Sequence, residues 1–228
     1  MNTDKAATTP GDVTGAAEAV LTAVAVEKSY RRGIWPLGRR VAVLKGADLV
    51  LYPGEVVGMV GENGSGKSTL MRIIAGEISA DSGTLAHSGV LGYCPQQPQV
   101  YARLTCDEHF ELFGRAYRMS PAVERKSREE LYEQLGFAHY SAVRADQLSG
   151  GTLAKLNLGL ALLADPQILL LDEPYAGFDW DTYQRFWTLV AQRRQAGRSV
   201  LIISHFVVDE DRFDRIVAIR DGLAVPKR

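Results

Sequence analysis

One stretch constrains this chain more than any other: Gly61-Glu62-Asn63-Gly64-Ser65-Gly66-Lys67-Ser68-Thr69. It stands between a β-branched run, Glu55 to Val60, and a helical pattern, Lys67 to Ala75, that Gly76 stops. Its spacing is G-x-x-x-x-G-K-[ST]. Glycines so placed let backbone N–H groups turn inward around phosphate oxygens, at the positive end of a helix. In that arrangement Lys67 pairs with the β- and γ-phosphates and the Ser68 hydroxyl ligates Mg²⁺. Strand, loop and helix together mean a nucleoside triphosphate, yet they fit a kinase, a GTPase or a helicase equally well.

The rest of the chain alternates strand and helix patterns. Thr22 to Val26 predicts a first strand, and Val41 to Leu44 and Asp48 to Leu51 predict short ones before the turn Tyr52-Pro53-Gly54. Val90 to Tyr93 is a further strand, closed by Pro95. Thr105 with Glu108 forms a capping box, after which Phe110, Phe113 and Tyr117 recur at helical spacing. A second helix is expected from Pro121 to Leu135, and Ser149 opens a third that runs to about Ala164. Ile168 to Leu171 reads as a buried parallel strand, Asp181 to Ala196 as a helix, and Ser199 to Ile203 and Ile216 to Ile219 as strands. Buried strands alternating with helices predict an α/β core with a parallel sheet.

At 228 residues, 46% of them hydrophobic, the chain suits one domain with a subdomain inserted. Lys and Arg number 26 against 27 Asp and Glu, so bulk charge offers no reason to expect nucleic acid as a partner. Cys94 and Cys106 lack zinc spacing and read as two reduced thiols. Residues 1–20, rich in Thr, Ala, Gly and Asp, predict a flexible tail without the apolar core of a secretory signal. No run approaches the roughly 20 apolar residues of a membrane span. The nearest, Leu156 to Leu171, is cut by Asp165-Pro166.

Two further elements narrow the chemistry. Ile168-Leu-Leu-Leu-Asp172-Glu173 is a hydrophobic strand that delivers Asp172 beside a Mg²⁺ ion. Glu173 follows where hydrolysis wants a general base, which a kinase does not need. Leu148-Ser149-Gly150-Gly151-Thr152 is another helix start with a serine and bare backbone N–H groups to offer an anion.

In this order, the phosphate loop, Leu-Ser-Gly-Gly and Leu-Asp-Glu-Pro resemble the motifs of ABC-type ATPases, the nucleotide-binding subunits of ABC transporters. The resemblance runs from about Thr22 to the C-terminus and implies a RecA-like P-loop core over 21–228. It also implies an N-terminal antiparallel β portion and a helical subdomain inserted at approximately 98–164, the middle block beginning near Pro98. It implies that Ser149, Gly150 and Gly151 meet the γ-phosphate held by a second subunit, so that two copies sandwich two ATP head to tail. Asp179, in Ala176-Gly-Phe-Asp179, matches an aspartate loop that crosses that interface. His205, in Ser204-His205, would contact the γ-phosphate and orient Glu173. Tyr30 would stack on adenine, and Gln96, in preference to Gln97, would touch Mg²⁺ and the attacking water.

The same resemblance implies a separate membrane-spanning partner, whose cytoplasmic helix docks in a groove beside Gln96 lined by Val100, Tyr101, Leu104, Phe110 and Phe113. The chain would then sit at the cytoplasmic face of the membrane. The segment around Arg103-Leu-Thr and Glu108-His-Phe-Glu-Leu-Phe is similar to exporter subunits. Arg31, Arg32, Arg39 and Arg40 flank a loop expected to close an early hairpin, a solvated turn or a contact for anionic headgroups. A soluble ABC ATPase, such as the iron–sulfur assembly type, would share every motif. Four positions depart from the family pattern: Thr152 replaces the usual Gln, Lys155 an Arg, and Phe178 and Trp180 flank Asp179 where Leu and Pro are common.

Overall fold

The computed structural model describes residues 18–33, 39–204 and 210–227. At its centre the runs Val56–Val60 (β3), Ile168–Asp172 (β6) and Ser199–Ile203 (β7) are buried at every position. With Leu91–Cys94 (β5), Arg215–Arg220 (β8) and Leu223–Pro226 (β9) they form a six-stranded sheet of order β5-β6-β7-β3-β8-β9. All neighbours are parallel except β8 and β9. Successive side chains go to opposite faces. Leu169, Leu171, Val200 and Ile202 therefore join one core, and Ile168, Leu170, Leu201 and Ile203 the other. A strand buried on both faces needs the unbroken apolar run seen in the sequence.

One face is covered by Gly150–Leu162 (α4) and Trp180–Gln195 (α5). The other carries Lys67–Ile74 (α1) and an antiparallel sheet of order β2-β1-β4, made of Leu21–Arg32 (β1), Arg39–Leu51 (β2) and Ser82–His87 (β4). The two short strands expected over 41–51 are one continuous strand, because β1 pairs along its whole length from Leu51 to Arg39. β1 likewise runs past Val26 to Arg32, with a bulge at Ala25, whose N–H donates to Asp48. Residues 34–38 of the expected hairpin loop, and residues 1–17 of the expected tail, lie outside the described residues.

Cys106–Ala116 (α2) and Pro121–Leu135 (α3) pack on α4. The capping box of α2 is formed as expected, with Glu108 N–H donating to Thr105 and Thr105 N–H to the Glu108 carboxylate. Both cysteines are buried free thiols. Among the described residues no helix is long and apolar enough to cross a membrane.

Candidate functional site: a phosphate-loop cleft at the strand ends

The strand order brings the carboxyl ends of β5, β6, β7 and β3 side by side, where open α/β sheets bind ligands. The 61–69 loop follows β3, and Gly66 begins α1 with φ of 112°. A Cβ there would be strained and would sit 2.9 Å from Leu44 and 3.1 Å from the Val43 carbonyl. No side chain caps α1, so its first N–H groups stay available to an anion. Lys67 is only 5% exposed, and its ammonium donates to the carbonyls of Gly61 (2.8 Å) and Glu62 (3.0 Å). These bonds satisfy a buried charge and hold the loop in shape.

A cleft of about 510 Å³ brings Asn63, Gly64, Gly66, Lys67, Ser68, Thr69, Gln96 and Glu173 together with Val43. Asp172 is buried at the end of β6, one residue before Glu173. Glu173 has φ of 52°, a left-handed conformation that costs a non-glycine residue of order 1 kcal/mol, and its N–H is tied to the Ile203 carbonyl. The chain leaves the strand line at this left-handed residue, and Glu173 lines the cleft. Gly61, Glu62 and Ser65 face a second cleft, of about 1050 Å³, walled by Val41, Lys45, Arg220 and Lys227. Tyr30 is exposed on β1, opposite Val41, and lines neither cleft.

Four more predicted residues, Ser149, Gly150, Gly151 and Asp179, lie at other helix starts. Ser149 and Gly150 are exposed at the start of α4, where the Ser149 hydroxyl caps the helix by accepting from Thr152 N–H (3.2 Å) and pairs with the Thr152 hydroxyl (2.9 Å). Gly151 follows within the first turn. Asp179 caps α5 by accepting from Thr182 N–H at 2.8 Å; that bond, then the Lys155 and Arg185 charges, lower its pKa. His205 lies outside the described residues.

Two features had no signal in the sequence. The Tyr175 hydroxyl donates to Ser204 at 2.5 Å, joining the loop after β6 to the end of β7. Val43 forms a wall of both clefts from the neighbouring sheet. The expected partner groove is also redrawn. A cleft of about 450 Å³ beside Pro95 is lined by Val100, Tyr101 and Phe113, but also by Glu77, Tyr93 and Tyr117. Phe110 is fully buried core, in edge contact with Tyr132, and Leu104 does not reach the groove.

A family model described as ABC transporter matches residues 44–176. The chain belongs to the ABC transporter family. Its nucleotide-binding domain has the ABC ATPase cassette fold. The Dimeric Structure of MJ0796, a bacterial ABC transporter cassette, superposes with a TM-score of 0.82 at 25% identity, over 91% of this chain and 97% of that one. ATP-binding cassette sub-family A member 9 of Mus musculus is 32% identical over 198 residues, 80% of this chain. The Nod factor export ATP-binding protein I of Azorhizobium caulinodans is 31% identical over 203 residues, 83% of this chain. This chain spans 12% of the length of the first relative and 63% of the second.

Proposed function

We propose that this chain is the ATP-hydrolysing subunit of an ABC transporter. Two copies close head to tail around two ATP and drive a separate membrane-spanning polypeptide, in the direction of export. One observation carries the reading: Lys67, Ser68, Gln96 and Glu173 share a single cleft, whereas the Ser149-Gly150 helix start is exposed and is not part of its lining. An exposed second helix start, outside the lining of its own chain's phosphate cleft, suits the phosphate held by a second copy. The name of the Nod factor relative supports export.

In this reading Lys67 leaves the Gly61 and Glu62 carbonyls for the phosphates, while the uncapped N–H groups of α1 hold the same anion. Tyr30 takes the adenine from the rim. Ser68, Gln96 and Asp172 offer the oxygen donors that suit Mg²⁺, which would neutralise charge on the phosphate oxygens. Glu173 accepts a proton from the attacking water, with Gln96 orienting that water. Ser149, Gly150 and Gly151 of each copy gain a phosphate only in the closed dimer, and this differential contact converts ATP binding into movement. Asp179, beside Lys155 of α4, lies at the same interface. The domain covers 21–228 with the helical insertion over approximately 98–164, and the groove beside Pro95 receives the partner at the cytoplasmic face of the membrane.

Glu173→Gln tests the chemistry. It is expected to bind ATP, to lose on the order of 1000-fold in kcat, and to accumulate as an ATP-bound dimer on gel filtration. An unchanged kcat rules out the role given to Glu173. Affinity purification of tagged chain from detergent-solubilised membranes tests the partner. A polytopic membrane protein recovered near one-to-one supports the transporter. Soluble partners alone move the assignment to an assembly ATPase of the iron–sulfur type.

A further inference from the structure

Helix α4 is buried nearly all round among leucines, yet it carries an amide, Asn157, that is 7% exposed. Its side-chain nitrogen donates to the Pro95 carbonyl at 2.9 Å and to Cys94 Sγ at 3.2 Å. A carbonyl oxygen only accepts, so the nitrogen of the amide must face it. Burial first, then the Asp172 charge, raise the Cys94 pKa, and the sulfur stays a neutral thiol at neutral pH. The residue after Pro95 is Gln96.

One helical turn further on, Ala161 meets the same strand. A Cβ on Gly92 would sit 2.2 Å from the Ala161 carbonyl, so only a glycine permits the contact. Residues 157 and 161 share one face of α4, and residues 92 and 94 share one face of β5. The helix opened by Ser149 is thus seated on the strand that leads to Gln96, and the seat ends at Asn157. Desolvating an amide inside a leucine-lined helix costs about 1–3 kcal/mol unless it is hydrogen-bonded, so a leucine would serve packing better.

We propose that Asn157 is a positioning residue that latches the Ser149 helix to the peptide bearing Gln96. Movement of the Ser149 loop onto an anion and placement of Gln96 in the cleft then become one event. The inference rests on the ATPase reading above. Asn157 and Pro95 also line the groove assigned to the membrane partner, so a segment seated there touches the latch directly.

The test compares Asn157→Leu, Asn157→Asp and Gln96→Ala in the full chain with ATP and Mg²⁺. Aspartate keeps the size of asparagine but faces Pro95 with an acceptor, and it serves if the leucine variant does not fold. Either variant is expected to lower kcat about tenfold, as small misplacements of an orienting group do, with KM for ATP held within about twofold. Combined with Gln96→Ala, the loss should be no greater than for Gln96→Ala alone, because both act through one residue. Independent, multiplying losses or an unchanged kcat overturn the latch. Hydrogen exchange at the Gln96 and Gln97 amides gives a readout independent of turnover. About tenfold faster exchange in the Asn157 variants is expected, and native rates overturn the proposal. If Glu173→Gln hydrolyses ATP normally, only the role given to Glu173 falls; if the native chain hydrolyses no ATP, the ATPase reading falls, while the exchange experiment still decides the latch.

Discussion

Two glycine-rich helix starts among the described residues are built in opposite ways. At α1 the cap residue is Gly66, no side chain occupies the first N–H groups, and a buried lysine lies one residue on. At α4 the cap is Ser149, its hydroxyl already holds Thr152 N–H and the Thr152 hydroxyl, and no charged residue lies in the first turn. The first is an anion site left open and supplied with a cation. The second is a finished helix cap that stands exposed. A phosphate reaching α1 gains a charge and uncapped N–H groups, while one reaching α4 competes with an existing bond. In the function proposed above, affinity resides at the first and discrimination between open and closed states at the second.

Removing the charge from the first site should have the larger effect. Lys67→Ala is expected to weaken ATP binding on the order of 100-fold, read by titration of a fluorescent ATP analogue, because a charge-assisted contact to phosphate is lost. An affinity within a few-fold of the native chain would show that the uncapped N–H groups alone hold the nucleotide.

Ser149→Ala should leave ATP affinity within about twofold but lower kcat about tenfold, on a protein less stable by roughly 1 kcal/mol from the lost cap. Equal losses in binding and turnover would erase the contrast between the two sites. The smallest effect is expected from Thr152→Val, which removes the hydroxyl paired with Ser149 and keeps the shape. In the Glu173→Gln background, ATP-driven dimer formation should strengthen about twofold on gel filtration, with stability changed by less than about 1 kcal/mol. A weaker dimer would mean that the threonine hydroxyl supports the serine in place of restraining it.

Much of the fold could be read from local pattern. The helix Pro121–Leu135 lies where its periodicity places it, and the capping box at Thr105 and Glu108 forms as expected. β4 and β9 were not visible. Every residue of β4 is exposed and Gly83 interrupts it, so it shows no alternation, and it is a strand only because β1 offers it hydrogen bonds. β9 is an edge strand of four residues held by β8. Phe110 and Phe113 share a helical stripe, and only the approach of α4 at Gly159, against the Phe110 ring, assigns the one to the core and leaves the other on the groove.

By itself, the sequence determined the phosphate loop, the buried strands and the acidic pair Asp172-Glu173. Each depends on neighbours within one turn or one strand: glycines at fixed offsets, apolar runs, a carboxylate at a strand end. Only the tertiary structure decided that Gln96 and Glu173 face the loop in one cleft, that Tyr175 binds Ser204, and that Asn157 holds Pro95. Those contacts join segments far apart in the chain. Their hydrogen bonds come from strand order and helix seating, which are set by burial of the whole core and not by any local pattern.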